Sequence, residues 1–150
     1  MPIKALDVAN YFIGLSADID ENDLTNLKLQ KLLYFSQGKY LARYHKELFK
    51  EKIEAWELGP VVREVYDKFK VCGNFPITAF DIQNKLSDNL DKKTQEFLLS
   101  VWDEYGKYAA SFLVEKTHRR GSPWKKYYSK GENIIIPNSE MEKYFSKAII

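Results

Sequence analysis

Residues 53–66 read IEAWELGPVVREVY. Ile53, Ala55 and Glu57 fall on one side of an extended chain, with Glu54, Trp56 and Leu58 on the other, so the first half has the period of a strand. Beyond Pro60 the apolar positions are Val61 or Val62, Val65, Tyr66 and Phe69, which is helical spacing. The stretch is expected to be a short strand that turns at Gly59 and feeds a helix. Glycine tolerates the sharp turn, and Pro60 suits a first helical position, where a missing N–H costs nothing. This corner sets the fold class: strands are present, but they are short and lead into helices.

Upstream, residues 3–15 carry Leu6, Ala9 and Ile13 flanked by Ala5, Val8 and Phe12, a helix buried on a wide face. An acidic loop covers residues 16–23. Thr25 is the expected cap of a second helix. In that helix Leu29, Leu32, Leu33, Ser36 and Tyr40 form a core stripe, and Lys28, Lys31, Phe35 and Lys39 lean the other way. Gln30, Tyr34, Gln37 and Leu41 make the shoulder. Gly38, inside the pattern, points either to close packing or to simple tolerance.

Downstream, the helix after the corner ends near Lys70, and residues 80–86 are either loop or a helical turn. Ser87 or Asp88 is expected to cap a helix with an apolar side at Leu90, Phe97, Leu98, Val101, Trp102 and Tyr105. Another helix runs to about Thr117, and Pro123 opens one helical turn. Ile134, Ile135 and Ile136 form a strand stopped by Pro137. Ser139 and Glu142 fit a capping box for a last helix. The expectation is a mainly α fold with a small antiparallel β element (α+β), one domain over residues 1–150.

The composition is that of an ordinary soluble fold, with 45% hydrophobic and 29% charged residues. The ten tyrosines suit interfaces as well as half-buried helix faces. A net charge of +2 and the lack of a recognisable helix-turn-helix argue against sequence-specific nucleic-acid binding. The local exception is residues 115–130, where Lys116, Arg119, Arg120, Lys125, Lys126 and Lys130 face only Glu115. Such a cluster is either a solvated face or a contact for phosphate or an acidic partner. No stretch is long and apolar enough to span a membrane, and no signal peptide opens the chain, so the expected location is the cytoplasm.

No catalytic chemistry stands out. Cys72 is alone, which excludes a disulfide framework. His45 and His118 by themselves make no metal site, and no cofactor is expected. A paper triad of Ser122, His118 and Asp103 carries no weight, because triads are defined by geometry. Glu54 and Glu57 point to opposite sides of a strand and make a poor acid–base pair.

A signature runs through these elements. Residues 24–35 read LTNLKLQKLLYF, residues 54–62 read EAWELGPVV, then come Val65-Tyr66, Thr117-His118 and Pro123-Trp124. In order and spacing this resembles the Panacea domain, also called the SocA-like antitoxin domain, whose phage-associated members are named GepA. The resemblance covers about residues 3–145. It implies a type II antitoxin, not an enzyme, that binds and neutralises a cognate toxin encoded beside it. One relative delivers its toxin to a cytoplasmic protease, so the resemblance also implies a role in proteolysis. A phage-associated or host regulator acting on nucleic acid or on a protease is the alternative. Self-association is left open.

The resemblance places family-motif status on Thr25, Leu29, Leu33, Gly59, Pro60, Val61, Tyr66, His118, Pro123 and Trp124, taken here as structural. The candidate partner contacts are Lys28, Gln30, Lys31, Tyr34, Trp56 and Arg63, with Tyr127 and Tyr128 behind them. Lysines are seldom buried unpaired, which favours a surface role for Lys28, Gln30 and Lys31; an internal salt bridge to Glu54 or Glu57 is the alternative. Trp56 is either an exposed anchor or packed against the second helix.

Overall fold

The computed structural model describes residues 3–78 and 90–147. The helices are α1 (Ala5–Ser16), α2 (Asn26–Tyr44), α3 (Arg63–Phe69), α4 (Lys92–Tyr105), α5 (Ala110–Thr117), α6 (Pro123–Tyr127) and α7 (Asn138–Lys147). The strands are β1 (Ile53–Trp56), β2 (Gly59–Val61) and β3 (Ile134–Ile136), in antiparallel order β2-β1-β3. The fold is thus mainly α with a small antiparallel sheet.

α2 is the organising element. It packs against α1, α3, α4, α5, α7 and β2, so no face of it is left to solvent over most of its length. Thr25 caps it, its hydroxyl accepting from the Lys28 amide at 3.2 Å. At the other end His45 adopts a left-handed conformation and its amide donates to Leu41. Gly38 marks a close crossing: a Cβ there would overlap the Phe145 ring on α7. Close packing, not tolerance, explains the glycine.

The corner at residues 53–66 departs from expectation in one respect. Pro60 does not start a helix; it lies in β2, opposite Ala55. Glu57 and Leu58 link β1 to β2 as a tight hairpin, and α3 begins only at Arg63, after extended Val62. β2 is an edge strand, and an edge tolerates a residue with no N–H to donate. The extended run therefore continues through the proline. β3 joins the other side of β1, pairing Ile53 with Ile136 and Ala55 with Ile134 across the length of the chain.

Two capping expectations change. Pro137 precedes α7 and its carbonyl accepts from the Met141 amide, so Ser139 and Glu142 lie inside the helix and form no capping box. α4 is capped by Asp91, whose carboxylate accepts from the Thr94 amide at 2.8 Å. The caps expected at Ser87 or Asp88, like the turn expected at residues 80–86, lie outside the described residues. Ser122 caps α6, with Pro123 as its first residue.

The core joins α1 (Val8, Ala9, Phe12, Ile13) to α2 (Leu29, Leu32, Leu33), β1 (Ile53, Ala55), α4 (Leu98, Val101) and Met141 of α7. Among the described residues no helix is long and apolar enough to cross a membrane.

Candidate functional site: the hairpin and its cleft

Five polar side chains of α2 point inward, and each meets the backbone of another segment. Lys28 Nζ donates to the Gly106 carbonyl at 2.6 Å and pairs with Asp23 at 2.7 Å. Gln30 accepts from the Val62 amide at 2.8 Å and donates to Asn26 Oδ1, while Asn26 donates to the Tyr66 carbonyl. Lys31 Nζ donates to the Pro60 carbonyl at 3.1 Å. Gln37 accepts from the Leu48 amide and donates to the Phe49 carbonyl. Buried backbone groups need partners, and α2 supplies them to the loops that surround it.

The surface role expected for Lys28, Gln30 and Lys31 is therefore overturned, since all three are buried. Tyr34 is buried too, edge-on to Phe35 and Phe145. Nor do the lysines pair with Glu54 or Glu57. Glu54 is held by Arg63, whose Nη2 and Nε reach its two oxygens at 2.8 and 3.2 Å.

Around Lys31 the signature residues converge. Gly59 has φ of +118°, and a Cβ on it would stand 2.7 Å from Lys31 Cε and 3.0 Å from Thr117 Oγ1. Burial pushes the Lys31 ammonium down to about 7, because a desolvated charge with one carbonyl partner is disfavoured. The His118 ring stacks on Trp124 at 3.6 Å, and its buried Nε2 has no hydrogen-bond partner. Burial, then the charges of Lys31 and Lys125, hold its pKa below the usual histidine value. Trp124 in turn donates its indole N–H to the Trp56 carbonyl at 2.6 Å and stacks on Tyr128. Thr117 and Ser122 close the turn between α5 and α6: Ser122 Oγ donates to the Thr117 carbonyl and accepts from the Lys125 amide. Among the described residues His118 makes no bond to a carboxylate, and Ser122 is occupied with backbone. Among the described residues no three His, Cys, Asp or Glu side chains gather as a metal site.

Trp56 stands where this polar framework reaches the surface. Its ring is half-buried, edge-on to Tyr66 at 4.9 Å, with the Arg63 guanidinium over it at 5.2 Å. Its N–H donates to Glu54 at 3.0 Å. The ring helps line a cleft of about 370 Å³ with Leu27, Leu58, Tyr66 and Lys70, and the buried Gln30 and Lys31 form part of its floor. Leu58, at the hairpin turn, is 55% exposed; Val71 and Phe75, beside the lining residues Lys70 and Asn74, are also exposed. The sequence reading missed Leu58, Val71 and Phe75; an apolar residue in a two-residue turn was the available signal. Tyr127 and Tyr128 are half-buried at the end of α6, away from this cleft's lining.

The basic run at residues 115–130 is divided. Lys116 and Arg119 turn to a groove shared with Lys39 and Arg43 of α2, while Lys126 is paired with Glu140 of α7.

Comparison with known proteins matches this arrangement to one family. Its profile, described as "Antitoxin SocA-like, Panacea domain", covers residues 29–125, from α2 through the hairpin to α6. Antitoxin SocA of Caulobacter vibrioides (strain NA1000 / CB15N) is 33% identical over 130 residues, which is 81% of this chain and 69% of that protein. No solved structure matches significantly. The Lys31, Gly59, Pro60, Thr117 and Trp124 cluster lies inside the matched span, and the chain belongs to the SocA-like antitoxin family with its Panacea domain.

Proposed function

We propose that this chain is an antitoxin that neutralises a cognate toxin by binding it directly through the hairpin face. It works in the cytoplasm as one binding domain, and its own side chains perform no chemistry on the toxin. Family membership supports the antitoxin role. The observation that carries the choice of face is Leu58, exposed at the tip of a hairpin beside the Trp56–Tyr66 cleft.

The physical logic is that of a hot spot. Trp, Tyr and Arg dominate binding energy where they are held rigid and can be desolvated. Trp56 is already fixed by Glu54, Arg63 and Tyr66, so little side-chain freedom is lost on association. Its backbone is anchored from behind by Trp124. The buried α2 residues contribute mainly by holding β2 and α3 in register from the floor of the cleft.

Co-expression with the candidate toxin encoded beside it tests the reading. The expected result is growth rescue together with a copurifying complex, both lost in folded Leu58→Asp and Trp56→Ala variants. Rescue without a complex would overturn direct binding; a complex unaffected by both substitutions would overturn the choice of face.

A further inference from the structure

A second concavity lies among α2, α4, α5 and α7, with a volume of about 680 Å³. It shares no lining residue with the hairpin cleft. Its wall is cationic: Lys39 and Arg43 from α2, Lys116 from α5 and Arg119 just beyond it. The carboxylate that lines it, Glu104, is paired with Lys39 at 2.9 Å. Among the described residues Arg43, Lys116 and Arg119 have no ion pair. Three unpaired cations on adjoining elements repel one another, and an incoming anion relieves that repulsion. Lys116 registers the crowding: burial first, then the charges of Arg119 and Lys39, lower its pKa from the usual lysine value, against an opposing pull from Glu104.

The floor adds an independent sign. Tyr34 lines the groove, is buried, and its hydroxyl has no hydrogen-bond partner. A buried O–H without an acceptor is costly, and a carboxylate is a strong acceptor for it. Around it the floor is aromatic: Phe35 and Tyr105 stack at 4.2 Å, and Phe145 stands edge-on to Tyr34 at 5.4 Å.

We propose that this groove is a docking site for an acidic peptide segment bearing an aromatic or branched apolar side chain. The carboxylates meet Arg43, Lys116 and Arg119, one of them accepts from Tyr34, and the apolar side chain covers the ring edges of the floor. The volume suits a few side chains, within the range of about 300–1,000 Å³ common for ligand sites. Peptide is favoured over single-stranded nucleic acid because nucleic acid binds through free aromatic faces that stack bases, whereas Phe35 and Tyr105 are already stacked on each other and buried.

The test is a selection from a random peptide display library on the full chain, followed by fluorescence anisotropy with an enriched peptide. Enriched sequences should combine Asp or Glu with Phe, Tyr, Leu or Ile. The triple variant Arg43→Ala, Lys116→Ala, Arg119→Ala should bind the enriched peptide at least about tenfold more weakly, and binding should fade with salt. Should the triple variant fail to fold, Arg43→Glu, on the exposed side of α2, takes its place with the same expectation. Tyr34→Phe should bind more weakly while melting no lower than the parent, because the hydroxyl it removes is unpartnered. Leu58→Asp should leave peptide binding unchanged. Selection without acidic enrichment, full affinity after charge removal, or a single-stranded oligonucleotide that binds the groove more tightly than the peptide would each overturn the proposal.

Discussion

Lys31 donates to the Pro60 carbonyl across 3.1 Å from a position with no solvent contact. An ammonium group has three N–H donors, and this site offers one acceptor, so the neutral amine is the form the fold prefers. The pKa falls to about 7 from an ordinary 10.5. The unfolded chain therefore binds more protons than the folded one between those values, and stability rises with pH across that window. Below it both states are protonated and the full cost of burying the charge is present. Denaturant midpoints measured from pH 7 to 10 should climb, and Lys31→Met should flatten the climb. Above pH 10 the raised pKa values of Tyr34 and Tyr105 act the other way, because the unfolded tyrosines ionise first. A slope that survives Lys31→Met would assign it to another group.

Gly59 and Gly121 separate backbone strain from crowding. Both have positive φ, +118° and +82°, but only at Gly59 does a Cβ meet neighbours, Lys31 and Thr117. Gly121→Ala should cost about 1–2 kcal/mol from conformation alone. Gly59→Ala should cost clearly more, since Lys31 must also move off the Pro60 carbonyl. Pro60→Ala should lower stability by about 0.4–1 kcal/mol through the unfolded chain. Equal melting midpoints for the two glycine variants would deny the crowding.

The contact between Gly38 and Phe145 predicts a non-additive pair. Gly38→Ala forces α7 away from α2 and should destabilise by several kcal/mol, as overpacking does at the upper end of its range of about 1–3 kcal/mol or more. Phe145→Ala removes the obstructing ring at the cost of a cavity. The double variant should be more stable than the sum of the single losses, with a coupling of about 0.5–3 kcal/mol. Additive losses in denaturant melts would mean that α7 does not sit on Gly38.

Much of this architecture is legible in the sequence because it follows from local pattern. The cap at Thr25, the helical turn after Pro123, the isoleucine strand ended by Pro137 and the pairing of distant strands all emerge as expected. The long polar residues of α2 do not. Their burial depends on carbonyls that arrive from elsewhere: Pro60 is 29 residues from Lys31, and Gly106 is 78 residues from Lys28. An amphipathic reading assumes one buried face, and it fails for a helix enclosed on nearly every side. Pro60 misled for a related reason. Its fixed φ suits a first helical position and an extended edge strand alike, and only the pairing with Ala55 decides between them.

The last prediction concerns the residues that remain exposed. Lys28, Gln30 and Lys31 serve the fold, so Lys28→Ala and Lys31→Ala should weaken toxin binding only in proportion to the stability they lose. Arg63 is different. It lies on the surface, over Trp56 and paired with Glu54, and its removal leaves the backbone framework intact. Surface pairs of this kind are worth about 0–1 kcal/mol to stability, so Arg63→Ala should melt close to the parent. If the hairpin face is the contact, Arg63→Ala and Leu58→Asp should each weaken the complex by about tenfold or more, as loss of a hot-spot contact of at least about 1.4 kcal/mol does. His118→Ala should disturb the Trp124 stack and stability, with no separate effect on neutralisation at matched folded fraction. Calorimetric titration of each folded variant against purified toxin, paired with growth rescue, distinguishes these cases. Full affinity in both Arg63→Ala and Leu58→Asp would move the contact away from the hairpin. A His118→Ala complex that forms normally yet fails to rescue would replace occlusion with a chemical mechanism centred on the unpartnered Nε2.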